Sequence, residues 1–185
     1  MNKRKKVLIL GVTGQDGSFM AKLLHEKGHF VHGMVRKSST GNLGNIKYLI
    51  NKKNFSIHHG DLLDFSSLER IIKKIRPHEI YNFADQDHVR WSFEIPSYSF
   101  DVTAKAVTNI LEIIKNYSPK SKYFQPYSSN MFGSSINKKQ KETENFSPQS
   151  IYALGKVSAY YACKMYKNVH NLKVYGAIFY NHESE

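Results

Sequence analysis

Apolar residues along this chain keep two rhythms in turn. Short runs of strand length, Val7-Leu8-Ile9-Leu10 the first of them, alternate with longer stretches in which apolar positions return every three or four residues. Taken in order, the pattern predicts a strand over residues 7–10, a helix over about 18–27 closed by Gly28, a strand over 29–35, a short helix over 45–51 and a strand over 55–59. In the first helix Phe19, Leu23 and Leu24 share a face, the one expected to pack inward. A helix over 66–76 follows, with Ser66 or Ser67 as N-cap, Glu69 near its start and Pro77 as its stop, and then a strand over 79–84. Pro96 opens a long helix to Asn116, with Val102, Ala106, Val107, Ile110, Leu111 and Ile114 as its apolar face. A strand over 122–127, a long polar loop over 133–150, a helix from Ile151 and a strand over 172–180 complete the series. Strands alternating with helices build parallel sheets, so the expected fold class is α/β, a doubly wound parallel sheet with helices on both faces.

The first strand stops at a glycine that returns every third residue, in Gly11-Val12-Thr13-Gly14-Gln15-Asp16-Gly17. A phosphate cradle needs such glycines: Gly11 for the sharp turn out of the strand, Gly14 so that a backbone can approach a pyrophosphate, Gly17 so that the next helix can pack close to the sheet. The spacing G-x-x-G-x-x-G differs by one residue from the usual dinucleotide fingerprint, and a Gly-rich turn in another βαβ unit would look alike. Its position between a strand and a helix is what points to a dinucleotide. At the end of the second strand, where an Asp or Glu would bond a ribose 2′-hydroxyl, stand Arg36, Lys37, Ser38 and Ser39. A guanidinium, an ammonium and two hydroxyls suit a 2′-phosphate, which favours NADP over NAD; a solvated basic turn is the other reading. Asp61 and Leu62 close the third strand, placed either for an adenine or, in the case of Asp61, to cap a turn. The loop from Asp85 to Arg90 and the triplet Ser128-Ser129-Asn130 fall at the same carboxyl edge of the sheet, where doubly wound folds bind ligands. A loop as long as 133–150 is often functional in a compact domain.

The helix from Ile151 carries Tyr152-Ala153-Leu154-Gly155-Lys156, and an i, i+4 spacing puts Tyr152 and Lys156 on one face. An ammonium beside a phenol favours the phenolate and lowers its pKa from about 10 toward neutrality, making a base for a sugar hydroxyl proton. Ser128 is placed to share that proton. Alone, a Tyr and a Lys at this spacing arise by chance on many helices; behind a phosphate loop and a series of βα units the pair gains meaning.

Composition narrows the partners. At 185 residues, with 41% hydrophobic and 13% aromatic residues, the chain has one domain's worth of core, expected over 1–185. Lys and Arg number 27 against 15 acids, a net charge of +12. The lysines are scattered among asparagines and form no basic stripe interleaved with stacking aromatics, so anionic small ligands are favoured over nucleic acid. A lone cysteine, Cys163, excludes a disulfide framework within the chain and fits a reducing compartment. The basic start and the apolar run after it stop at the glycine loop, short of a signal peptide's core of 7 to 15 residues, and no segment has the length of a membrane span. The expected location is the cytoplasm, and no metal ligands are assigned.

Together these residues resemble the extended short-chain dehydrogenases and, within them, the GDP-mannose 4,6-dehydratases. The resemblance is carried by Gly11 to Gly17, by Val31-His32-Gly33 with Arg36 to Ser39, by Gly60-Asp61-Leu62, by Lys141-Glu142-Thr143 and by Asn181-His182-Glu183-Ser184, and it runs the length of the chain. It implies a Rossmann-type domain in which Gly11, Val12, Thr13, Gly14, Gln15 and Asp16 hold a pyrophosphate, Arg36 to Ser39 a 2′-phosphate, and Asp61 and Leu62 an adenine. Phe83, Ala84, Asp85, Gln86, Asp87, Tyr98, Lys156 and His182 would line the ribose and nicotinamide. The implied activity is that of an NADP-dependent lyase. Tyr152 would remove the C4 hydroxyl proton of a GDP-sugar such as GDP-mannose while hydride passes to NADP; water would leave across C5 and C6, and the hydride would return to C6. A homo-oligomer is expected, paired through the helices from Pro96 and Ile151, with Tyr160, Tyr161, Met165 and Tyr166 exposed on the second.

The chain departs from the family pattern in three places. Asn130 stands where the family has the Glu that takes the C5 proton, and Ser128 where it has a Thr. Asp85 and Asp87 replace small or hydroxyl residues, adding negative charge that Arg36, His88 or Arg90 would have to offset. The family also continues into a substrate domain, which is expected to be absent here. These departures keep open a C4 epimerase, a 4-keto reductase or a non-catalytic NADP-binding subunit.

Overall fold

In the computed structural model, which describes residues 4–134 and 139–184, six strands form one parallel sheet. They are β1 (Lys6–Leu10), β2 (Phe30–Val35), β3 (Phe55–His59), β4 (Glu79–Asn82), β5 (Lys122–Ser128) and β6 (Lys173–Phe179), in the order β3-β2-β1-β4-β5-β6. Leu8 of β1 lies opposite His32 on one side and Ile80 on the other. The chain winds outward in both directions from β1 and β4, and the crevice at their carboxyl ends is where such sheets bind ligands.

β1 is apolar without a break because it is buried on both faces. Leu8 and Leu10 point into a large core with α2 (Phe65–Ile75) and α5 (Ala106–Tyr117), where Leu68, Ile72, Ile110 and Leu111 are fully buried. Cys163 and Tyr166 of α6 (Ile151–Val169) close the same core. Val7 and Ile9 point the other way, against Ala21 and Leu24 of α1 (Gln15–Glu26) and Ile46 of the 3₁₀ turn Gly44–Leu49. Each fully buried Leu or Ile contributes about 1.5–3 kcal/mol relative to exposure.

Four details differ from the sequence expectation. α1 starts at Gln15, three residues early, because the glycine loop turns straight into helix. Its inward face is Gly17, Ser18, Ala21 and Leu24, while Phe19 and Leu23 are 42% and 45% exposed. Gly17 sets this rotation: a Cβ there would lie 2.2 Å from the carbonyl oxygen of Gly11, so only a glycine face can approach so closely. α2 is capped by Asp64, whose side chain accepts from the Ser66 N–H at 3.1 Å; Ser67 instead donates to the Asp64 carbonyl at 2.9 Å. The long helix from Pro96 is built of three parts, α4 (Pro96–Phe100), a π-helical turn (Asp101–Lys105) and α5, and a four-residue helix, α3 (Trp91–Glu94), precedes it. On α6, Tyr161 and Met165 are exposed, whereas Tyr166 is buried with its hydroxyl donating to Glu112 at 2.8 Å and Tyr160 is half-buried. No helix among the described residues is long and apolar enough to cross a membrane.

Candidate active site

Two contiguous clefts lie along the carboxyl edge at the crevice, of about 270 and 370 Å³, and they share Gly14, Phe83, Asp85 and Asp87. Gly11 makes the junction possible. Its φ is +74°, a left-handed conformation, and a Cβ there would meet the Ala84 backbone nitrogen at 2.6 Å. Gly14 is the N-cap of α1 and no side chain caps the helix, so its first-turn N–H groups are free to face an anion. Gly14 lines both clefts.

The first cleft is lined by the end of β2. Arg36, at the end of β2, donates to the Tyr98 hydroxyl at 3.0 Å across its mouth, and Met34, Asn42, Gly60, Asp61 and Leu62 complete the wall. Asn42 braces the arginine by donating to its carbonyl oxygen at 3.3 Å, and Asn45 holds the phosphate loop through the Thr13 carbonyl at 2.9 Å. Asp61 plays both roles left open by sequence: it lines the cleft and accepts from the Leu63 N–H at 2.9 Å in a turn. The carboxylates in this wall are Asp61, Asp85 and Asp87. A guanidinium at the rim and an uncapped helix end fit a dinucleotide.

The second cleft gathers polar side chains from three elements. β5 delivers Ser128, α6 delivers Tyr152 and Lys156, and the 3₁₀ turn Ser129–Phe132 delivers Asn130. Ser128 Oγ accepts from the backbone N–H of Asn130 at 3.2 Å and from its Nδ2 at 3.1 Å. With its acceptor sites so used, the Ser128 proton is left for the Tyr152 phenol, to which it is hydrogen bonded. Lys156, only 4% exposed, donates to the Pro126 carbonyl at 3.0 Å and forms an ion pair with Asp85 at 2.6 Å. Its ammonium lies 5.6 Å from the centre of the Tyr152 ring.

This arrangement corrects one expectation. Tyr152 is not pulled toward neutrality: burial pushes its phenol above the ordinary tyrosine value, Lys156 and the Ser128 hydrogen bond pull it down, and Asp85 and Asp87 push it up again. The charge of Asp85 is offset by Lys156 and not by Arg36, His88 or Arg90. At the far wall His182 lies 2.9 Å from Asp16 in the first turn of α1, with its other ring nitrogen 2.8 Å from the Tyr180 carbonyl oxygen. Those contacts raise the imidazole's pKa, the carbonyl contributing most.

Not every residue named from sequence reaches a cleft. Gly11, Thr13, Gly14, Arg36, Asp61, Leu62, Phe83, Ala84, Asp85, Asp87 and Tyr98 line the first, and Gln15, Asp16, Ser128, Asn130, Tyr152, Lys156 and His182 line the second. Val12 lies in the core, pressed against Gly33, and Gln86 turns inward to donate to the His88 carbonyl oxygen at 3.1 Å. Lys37, Ser38 and Ser39 are exposed beyond Arg36, with Ser38 turned to Thr40. Gly17 serves packing. Sequence reasoning missed Asn42, Asn45 and Thr103. Asn42 sits in a loop with no periodicity to read, Asn45 sits in the 3₁₀ turn Gly44–Leu49, and Thr103 was hidden inside an apolar helix face.

Fold and site define a Rossmann-type domain of the short-chain dehydrogenase class. Solved structures share the fold: a UDP-glucose 4-epimerase from Brucella ovis in complex with NAD (TM-score 0.83, 22% identity, covering 95% of this chain and 52% of that one) and a dTDP-glucose 4,6-dehydratase from Streptomyces venezuelae with NAD and TYD bound (0.84, 20%, 94% and 55%). The chain belongs to the GDP-mannose 4,6-dehydratase family, whose family model matches residues 8–185. It is 41% identical to GDP-mannose 4,6 dehydratase 1 of Arabidopsis thaliana over 98% of this chain and 53% of that protein, and 38% identical to the Homo sapiens GDP-mannose 4,6 dehydratase over 98% and 51%. The chain thus spans about half the length of the curated relatives it matches.

Proposed function

We propose that this chain supplies the NADP-binding, redox-active half of a GDP-mannose 4,6-dehydratase-like lyase, residues 1–185 forming the dinucleotide domain. The reading is supported above all by the convergence of Tyr152, Ser128 and Lys156 on a cleft that continues into the phosphate loop. Arg36 would hold the 2′-phosphate, and Gly14 with the start of α1 the pyrophosphate. When bound, NADP supplies an acceptor for the C4 hydride and a donor for its return to C6. Tyr152 takes the proton of the C4 hydroxyl of a GDP-sugar, Ser128 donates a hydrogen bond to the phenolate that forms, and Lys156 stabilises it by charge. Once C4 is a ketone, the C5 proton is acidic and water can leave across C5 and C6. Asn130 is an amide and cannot remove that proton; a second reading in which chemistry stops at C4, as in an epimerase or 4-keto reductase, rests on that substitution and has less support than the dehydratase-like one, which the family match carries. Product analysis separates them, since only dehydration gives a 4-keto-6-deoxy sugar. The reading places the protein in the cytoplasm.

The cofactor assignment has its own test. NADP is expected to bind more tightly than NAD, and Arg36→Ala to weaken NADP by about 1–3 kcal/mol, the range for a lost charged hydrogen bond, while sparing NAD. Calorimetric titration of both cofactors checks this; equal affinities in the native chain would overturn the NADP assignment.

We also propose self-association through the helices that begin at Pro96 and Ile151. Trp91, Phe93, Tyr161 and Met165 are 55%, 63%, 55% and 43% exposed on this side of the fold, an apolar display that an interface would cover. Sedimentation should show a dimer or larger at tens of micromolar, roughly where a modest interface forms; monomer alone would count against it.

A further inference from the structure

The carboxylate of Asp85 is tied to three donors at the junction of the two clefts. Oδ2 pairs with the Lys156 ammonium at 2.6 Å, and Oδ1 accepts from the Thr103 hydroxyl at 2.7 Å and from the Gln86 N–H at 2.8 Å. Both charged side chains are largely out of solvent, 13% exposed for Asp85 and 5% for Lys156, so their attraction is weakly screened. Thr103 is no accident of a helix surface. It lies in the π-helical turn Asp101–Lys105, and α6 packs on it through Gly155, where a Cβ would meet Thr103 Cβ at 2.9 Å. The glycine before Lys156 therefore lets one contact seat the threonine, the aspartate and the lysine together.

Consider what this leaves for Tyr152. An ammonium has three protons, and two of them go to Asp85 and the Pro126 carbonyl. An unpaired cation would stabilise a phenolate by its full charge, whereas in a tight ion pair part of that charge is cancelled at the ring. The other groups around the phenol do not restore it. Asp87, from the same loop as Asp85, is a second negative charge; Ser128 and Asn130 are neutral; His182 across the cleft is tied to Asp16. Of the elements packed on α6, the π-helical turn offers Asp101 and Lys105, paired with each other at 3.7 Å, and α5 offers Glu112, paired with Lys115 at 2.6 Å.

We propose that Asp85, seated by Thr103, is a positioning residue that holds the Lys156 ammonium away from the service of Tyr152 and so sets how readily that phenol acts as a base. The word base rests on the dehydratase-like reading above; the effect on the phenol does not. Burial is the largest push on Tyr152, and Asp85 and Asp87 oppose the pull of Lys156, so the phenol ends above its ordinary value.

The test is an NMR titration of the whole chain labelled with ¹³Cζ-tyrosine, with the Tyr152 signal identified by its loss in Tyr152→Phe. In the native chain that signal should move only above the ordinary tyrosine value of about 10. In Asp85→Asn, which keeps the shape and the Oδ1 acceptor but removes the charge, it should move at least about one pH unit earlier, a tenfold gain in phenolate at a given pH. Thr103→Val, which keeps the charge but loosens its seat, should give a smaller shift in the same direction and serves as the test if Asp85→Asn does not fold. A midpoint that stays put or rises in the folded variant overturns the proposal. The titration needs neither cofactor nor sugar, so failure of the dehydratase-like reading would show separately, as the absence of any 4-keto-6-deoxy product.

Discussion

Tyr152→Phe is expected to slow C4 oxidation by about 10²- to 10⁴-fold, the usual contribution of a positioned general base, with NADP affinity nearly unchanged. The substitution removes one oxygen and little else. The ring stays in its place at the start of α6, where the residue is 7% exposed, and Lys156 keeps Asp85 and Pro126 as partners, so no buried charge is orphaned. Ser128 loses its hydrogen bond to the phenol, worth about 0.5–1.5 kcal/mol of stability. Rate and fold therefore separate: circular dichroism should be preserved while the absorbance of reduced cofactor, followed after adding GDP-mannose to the chain completed by the carboxyl-terminal half of a relative, should grow far more slowly. A rate within threefold of native would place the base elsewhere.

The second large effect runs the other way. Asn130→Glu, in the same completed protein, is expected to raise the rate of 4-keto-6-deoxy product by at least about a hundredfold. Asn130 lies on the cleft two residues beyond Ser128, and its amide is committed to donating to Ser128 Oγ at 3.1 Å. A glutamate there gives up that donation but brings a carboxylate to the wall of the cleft that Tyr152 also lines. The change costs about one hydrogen bond of local stability and supplies a base for C5. Asp87 lines the same cleft and is the competitor: if it already removes the C5 proton, Asn130→Glu will leave the rate where it was and Asp87→Asn will abolish dehydration.

Much of this was written in the sequence in a legible way. β1 could be read because a strand buried on both faces is apolar throughout, and the glycine turn that links it to α1 because Gly11 must adopt a positive φ and Gly17 must approach Gly11. Tyr152 and Lys156 could be paired because helix geometry alone puts them on one face. The sequence misled where tertiary contacts outvoted the local pattern. Phe19 and Leu23 share a face with Leu24, yet the glycine contact turns α1 so that they point outward. The pull of Lys156 on Tyr152 was sound local chemistry, but it could not foresee that Asp85, 71 positions away in sequence, would claim the ammonium at 2.6 Å. The π-helical turn that brings Thr103 to the same carboxylate has no signature in apolar periodicity. Such long-range polar pairings depend on the finished fold, and only the finished fold shows them.

The most direct measurement mixes the completed protein, loaded with NADP, with GDP-mannose in a single turnover and follows absorbance at the reduced-cofactor band together with product by chromatography. With Tyr152, Ser128 and Lys156 in place and no carboxylate at position 130, the account predicts that reduced cofactor accumulates, with 6-deoxy product forming at least about a hundredfold more slowly than in Asn130→Glu. Rapid formation of 6-deoxy product without that accumulation, or no reduced cofactor at all, would contradict it.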